Sequence, residues 1–149
     1  MEILIDTREQ KPFVFANETL TGLHRTKLDA GDYSIVGYDK PTDKHSIIIE
    51  RKANCSEYSS NLGKNFERFE REAQKLAEYK HRAIIVCGPD NFQYLYDQKF
   101  IGLHPKYAYN RIAYLWIQYG IPTFFHDTPE QAEMFMMRLF KRVYEINNE

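Results

Sequence analysis

Two uninterrupted apolar runs stand out along an otherwise mixed chain, Ile47-Ile48-Ile49 and Ala83-Ile84-Ile85-Val86-Cys87. A strand with one wet face alternates, so runs of this kind predict strands buried on both faces. Ahead of them, residues 2–6 read as a short strand closing on Asp6, and residues 23–28 as a second. Gly31 turns the chain into a third strand over 32–36. A polar loop over 37–46, with Gly37 and Pro41, leads back into the fourth at 46–51. Residues 17–20 predict a short helical turn.

After Lys52 the period lengthens to that of a helix. Asn54 or Cys55 opens a short one that ends near Gly63. Asn65 caps a longer helix to about His81, with Phe66, Phe69, Ala73, Leu76 and Ala77 on its apolar face. Glu67, Arg68, Glu70, Arg71, Glu72 and Lys75 fall on the opposite face. Gly88-Pro89-Asp90 opens a helix toward Tyr96. Pro105 sits in the first turn of another, which reaches Tyr119 before Gly120. Residues 121–125 form the last strand. Thr128-Pro129-Glu130-Gln131 carries a capping-box pattern for a closing helix to about Ile146, with Ala132, Phe135, Leu139, Phe140 and Val143 inward. The pattern is therefore α/β, a sheet with antiparallel strands at its start, covered by helices. No repeat, low-complexity stretch or linker divides it, so residues 1–149 read as one domain.

Composition adds bounds rather than direction. Hydrophobic residues make up 43% and charged residues 28%, as in an ordinary globular protein. The net charge of −1 gives no support to a basic nucleic-acid wrapper, so any DNA contact must come from a local patch. Cys55 and Cys87 lack metal-ligand spacing, and no secretory stretch precedes them. They read as reduced thiols of an intracellular protein. No apolar run approaches a membrane span.

Candidate chemistry gathers at the strand ends. The fourth strand runs into Glu50-Arg51-Lys52, and side chains two apart share a face, which sets a carboxylate beside an ammonium at the lip of the sheet. A lone Glu-x-Lys is more often just a strand leaving for solvent. Asp32 opens the hairpin whose other arm delivers Glu50, so the two are expected neighbours, and Asp6 ends the first strand. Each acid alone has an ordinary explanation as a turn or loop cap; together with Glu-x-Lys they make a stronger case for a site. Gathered carboxylates repel unless a cation joins them or one holds a proton. Hard oxygen donors without clustered His or Cys favour Mg²⁺ or Mn²⁺ over zinc.

Ile5-Asp6-Thr7-Arg8-Glu9, then Gly31-Asp32, then Ile49-Glu50-Arg51-Lys52 resembles the XPF-type nuclease domain of the PD-(D/E)xK superfamily. The Arg68-bearing helix, the strand at 83–87 and Tyr119-Gly120-Ile121-Pro122 extend the likeness over most of the chain. The resemblance implies a restriction-endonuclease-like mixed sheet flanked by helices. It implies a metal-dependent endonuclease acting on branched, flap or junction DNA in repair, recombination or replication. Asp32 and Glu50 would be the principal Mg²⁺ or Mn²⁺ ligands, Asp6 a third acid, and Lys52 the lysine facing the attacking water. Glu9 and Arg8 match the family's Arg-Glu pair, with Arg8 toward the scissile phosphate and Arg68 reaching a phosphate from its helix. Arg51, on the other strand face, is expected in a structural or ion-pair role. The family's Asp after Glu-Arg-Lys falls on Ser56, with Glu57 next to it. The tandem helix-hairpin-helix module of many relatives is not expected here, and a separate DNA-binding partner is a further expectation. A homodimer is expected, with Tyr107, Tyr114, Trp116, Phe135 and Phe140 as interface or, alternatively, as plain core. A non-catalytic DNA-binding or dimerisation subunit on the same fold is the other function class that the resemblance allows.

Overall fold

A computed structural model describes residues 1–16, 20–98 and 103–148. Six strands, β1 (Glu2–Asp6), β2 (Gly22–Thr26), β3 (Tyr33–Ile35), β4 (Ile47–Lys52), β5 (His81–Cys87) and β6 (Thr123–His126), form one sheet in the order β2-β1-β3-β4-β5-β6. The helices are α1 (Cys55–Leu62), α2 (Phe66–Leu76), α3 (Phe92–Asp97), α4 (Pro105–Tyr119) and α5 (Pro129–Asn147). β1–β3 and β3–β4 pair antiparallel, whereas β1–β2, β4–β5 and β5–β6 pair parallel. The mixed sheet expected from the sequence is present.

The two apolar runs lie side by side as β4 and β5, covered on both faces. Ile48, Ile84 and Val86 pack with Tyr58, Leu62, Phe69, Leu76 and Leu115 of α1, α2 and α4. Ile47, Ile49 and Ile85, on the alternate positions, pack with Met136, Met137 and Phe140 of α5. One strand thus feeds two cores, which is why neither run alternates.

Several expectations shift in detail. β2 runs parallel to β1 instead of antiparallel; the link over residues 7–21 is long enough for the crossover that a parallel pair requires. α2 stops at Leu76 rather than near His81, because the chain must straighten to enter β5 beside β4. Asn65 precedes α2 without a side-chain cap bond and donates instead to Ser60 Oγ at 2.9 Å. Asn54 and Thr128 do cap α1 and α5, accepting from the N–H groups of Glu57 and Gln131. The turn expected over 17–20 falls largely outside the described residues. Tyr107, Tyr114 and Trp116 are exposed on α4, Phe140 is fully buried and Phe135 partly so; the aromatic set therefore divides between surface and core. Among the described residues no helix is long and apolar enough to cross a membrane.

Candidate active site

The carboxyl end of β1, the start of β3 and the carboxyl end of β4 meet at one end of the sheet. The Asp6 N–H donates to the Asp32 carbonyl at 2.8 Å, and the Asp32 N–H donates to the Ile49 carbonyl at 2.9 Å. Three backbone segments carrying acids are thereby stitched across adjacent strands. Gly31 makes this possible. Its φ is +65°, and a Cβ there would lie 2.5 Å from Ile48 Cγ1, so only glycine lets the chain pass this close to β4 and aim Asp32 at it.

Strand parity sorts the residues of β4. Glu50 and Lys52 share the face of Ile48: Lys52 Nζ donates to Glu50 Oε1 at 3.1 Å and lies 4.9 Å from the Phe69 ring centroid. Both side chains are largely shielded, at 16% and 8% exposure. Burial raises the Glu50 carboxyl above its ordinary range; Lys52 works against that, while the charges of Glu72 and Glu57 add to it. Arg51 points the other way. Its guanidinium donates to the Lys11 carbonyl at 2.6 Å and to Cys87 Sγ at 3.4 Å, stands 3.4 Å from Glu9 Oε2, and covers Phe13 at 4.4 Å. It ties the loop after β1 to the back of β4, the structural role expected for it.

Asp32 Oδ2 accepts from the Arg51 backbone N–H at 2.7 Å. Its pKa is nonetheless pushed up to about 8, first by burial and then by the charge of Glu50, with Glu9 adding a smaller push. Asp32 and Glu50 are thus neighbours that repel, as their hairpin placement predicts.

Asp6 does not join them. Oδ1 accepts from the Leu28 N–H at 2.8 Å, and Oδ2 accepts from the Arg8 N–H at 3.0 Å and from Arg8 Nε at 2.7 Å. Burial raises its pKa, but the Arg8 guanidinium and the two backbone donors more than offset this and leave it below the ordinary value. The carboxylate is fully committed to holding the loop and Arg8. Of the three expected metal ligands, the structure brings two together and gives the third other partners.

Two adjoining cavities, of about 370 and 470 Å³, open on either side of the acid pair and share Arg8, Asp32 and Glu50 as lining. Lys52, Arg68, Phe69 and Glu72 line the first, with Asn61 and Asn65; Glu9, Lys11 and Glu57 line the second. Arg8 and Arg68, the expected phosphate contacts, therefore face the same space as the acids. Ser56 is exposed and lines neither cavity, while Glu57 does, with Oε2 accepting from the Ala53 N–H at 2.8 Å. The charge missing at 56 thus stands one residue further on. Glu72, which the helical pattern sets opposite the apolar face of α2, also borders the cleft and is missing from the expected site residues. Asn65, Arg68, Phe69 and Glu72 follow helical spacing, so this stripe was available in the sequence.

The model of the ERCC4 domain matches residues 5–139. The chain belongs to the ERCC4 domain family. Among solved structures it is similar to XPF from Aeropyrum pernix in complex with DNA, at 26% identity and a TM-score of 0.72, covering 97% of this chain and 65% of that one. It is also similar to XPF from Aeropyrum pernix in a second structure, at 24% identity and a TM-score of 0.71, covering 98% of this chain and 68% of that one. The chain thus spans about two thirds of these relatives. No curated protein matches it significantly in sequence. The ERCC4 assignment bears out the family resemblance, and the structural likeness bears out the flanked mixed sheet.

The donor set suits a hard divalent cation. Two carboxylates raised by burial, with one ammonium beside them, are an arrangement that a cation would relieve. Among the described residues no three His, Cys, Asp or Glu side chains are placed to share an ion. Mg²⁺ is commonly held by one or two carboxylates, completing its shell with water and phosphate oxygens, so two acids suffice.

Proposed function

We propose that this ERCC4 domain is a Mg²⁺- or Mn²⁺-dependent endodeoxyribonuclease acting on branched, flap or junction DNA. The carrying observation is the repelling Asp32–Glu50 pair with Lys52 alongside, in a cleft edged by Arg8 and Arg68. Asp32 and Glu50 would hold the cation, which when bound supplies charge for the phosphorane-like transition state and the departing oxygen. Arg8, braced by Asp6, binds the scissile phosphate. Arg68 reaches a neighbouring phosphate from α2. Lys52 donates to a water in the cleft and turns its oxygen toward phosphorus. That oxygen forms a new bond to phosphorus as the bond between phosphorus and one sugar oxygen breaks; of the two water protons, one stays on the new phosphate oxygen and the other passes through solvent to the departing oxygen, which leaves as a hydroxyl. Glu9, at 3.4 Å from Arg51, holds the Arg8 loop in place from behind.

The A. pernix XPF bound to DNA supports DNA as the partner. The exposed α4 residues Tyr107, Trp116 and Ile117 support pairing of two copies. Repair, recombination or replication and a separate DNA-binding partner belong to the same reading. A non-catalytic DNA-binding subunit is the second reading, favoured by Ser56 where the family carries an acid. The deciding experiment is cleavage of flap, fork, four-way and single-stranded DNA with Mg²⁺ or Mn²⁺, with and without excess chelator, by wild type, Asp32→Ala and Glu50→Ala. Metal-dependent cutting by wild type alone supports the nuclease. Junction binding without cutting in either metal supports the second reading.

A further inference from the structure

Of the two cavities that meet at Arg8, Asp32 and Glu50, the one of about 370 Å³ holds Lys52 and Arg68, and the proposed chemistry is confined to it. The other, of about 470 Å³, continues past the acids beside the loop after β1, where Glu9, Lys11, Arg51 and Glu57 line it. A strand cut internally extends from the scissile phosphate in both directions. Contacts to the neighbouring phosphates set its register, so a partner is needed on this side as well as at Arg68.

Three cations line the second cavity, and two of them are committed. Arg8 is braced by Asp6 at the shared boundary. Arg51 is 10% exposed; its Nη1 donates to the Lys11 carbonyl at 2.6 Å and stands 3.4 Å from Glu9 Oε2. Lys11 is exposed, and its ammonium has no hydrogen-bond or ion-pair partner among the described residues. The acids are engaged, Glu9 with Arg51 and Glu57 Oε2 with the Ala53 N–H.

The backbone under Lys11 is fixed relative to the acid pair. Its carbonyl is held by Arg51, whose own N–H donates to Asp32 Oδ2 at 2.7 Å, so one residue links Lys11 to Asp32. Pro12 follows with a locked φ. Then the Phe13 N–H donates to Tyr33 Oη at 3.0 Å, and its ring stacks on that of Tyr33 at 5.7 Å between centroids. Binding a ligand here orders one side chain and no loop.

We propose that Lys11 binds the phosphate next to the scissile one, on the side opposite Arg68, so that a single DNA strand crosses the acid pair held by Arg68, Arg8 and Lys11. The inference rests on the nuclease reading above and extends it to the course of the strand. A contact to a non-reacting phosphate is the same before and during bond breaking, so it sets affinity and not rate. It also releases counterions from the DNA, a salt signature that a packing role lacks.

The test titrates a flap DNA with Mg²⁺ at a series of salt concentrations, in a Glu50→Ala background. Lys11→Ala and Lys11→Arg are compared with Lys44→Ala, an exposed lysine in the loop before β4, beyond the end of that strand remote from the cleft. Lys11→Ala is expected to weaken binding on the order of tenfold at low salt. It should flatten the slope of log affinity against log salt by about 0.7–0.9. Lys11→Arg keeps the charge and the slope, and Lys44→Ala changes neither affinity nor slope. With Glu50 restored, Lys11→Ala should cut saturating DNA in a single turnover within about twofold of the wild-type rate, at an unchanged thermal midpoint. An unchanged slope in Lys11→Ala overturns the assignment, as does an equal loss in Lys44→Ala or a fall in midpoint that Lys11→Arg shares. If Glu50→Ala cuts as fast as wild type, or wild type cuts nothing, the nuclease reading falls, while a slope change confined to Lys11 upholds the strand contact. If Glu50→Ala is dead and Lys11→Ala binds as wild type, only the role of Lys11 is lost.

Discussion

Asp6 and Asp32 are joined by a backbone hydrogen bond, both stand at strand ends, and both are shielded from water, yet their environments drive them in opposite directions. Asp6 has a guanidinium and two N–H donors on its oxygens and is held in its charged form. Asp32 has one N–H donor and a carboxylate neighbour, and burial pushes it toward its neutral form. A satisfied acid is scaffolding. An acid held in tension marks a place where something else belongs, and this separates two aspartates that look alike in the sequence.

The contrast can be broken experimentally, starting with the largest effect. Asp32→Ala and Glu50→Ala should each lower cleavage by about 10³-fold or more, the scale seen when a group that stabilises transition-state charge is removed. Asp6→Ala should instead act mainly through folding. It strands the Leu28 and Arg8 N–H groups and costs about 2–3 kcal/mol, read as a lower denaturation midpoint in urea or on heating. Asp32→Asn gives the opposite sign: the amide oxygen can still accept from Arg51 while the repulsion disappears. The metal-free protein should become more stable at pH 8 even as cleavage is lost, and a variant destabilised at pH 8 would remove the distinction between the two acids.

The same contrast carries a pH dependence. With its pKa raised from 3.8 to about 8, folded Asp32 retains a proton that the unfolded chain gives up between those values. Its contribution to metal-free stability is therefore most favourable below pH 4 and declines as pH rises toward 8. Asp6 runs the other way, stabilising above pH 3.8 and losing that effect as pH falls through its lowered value. Adding Mg²⁺ or Mn²⁺ should raise the thermal midpoint more at pH 8, where Asp32 is ready to ionise, than at pH 5. An equal rise at both values would separate cation binding from this acid.

Much of this is legible in the sequence. Continuous apolar runs can only be buried strands or helices, and their length and β-branching chose strands for Ile47–Ile49 and residues 83–87. Parity alone put Glu50 with Lys52 and Arg51 behind them. The parallel pairing of β2 was hidden because strand direction depends on the route of the connecting loop, which no periodicity records. The fate of Asp6 was equally hidden. Its partners include the N–H of Leu28, far along the chain, and a motif cannot tell whether a carboxylate will be satisfied by backbone. Glu72 was missed for a different reason. Helical periodicity sets it opposite the apolar face of α2 but does not tell which charges of that face border the cleft, and the stripe from Asn65 to Glu72 crosses its mouth.

The two-sidedness of β4 has a consequence for how such a chain can change over evolutionary time. An insertion of a single residue just before Glu50 would exchange front for back, driving the guanidinium into the acid cleft and the glutamate against Phe13 and Cys87. Point substitutions can be absorbed here one at a time, but a shift in reading position along this strand cannot, so lengthening is expected to be tolerated in the loop before β4 and nowhere within it.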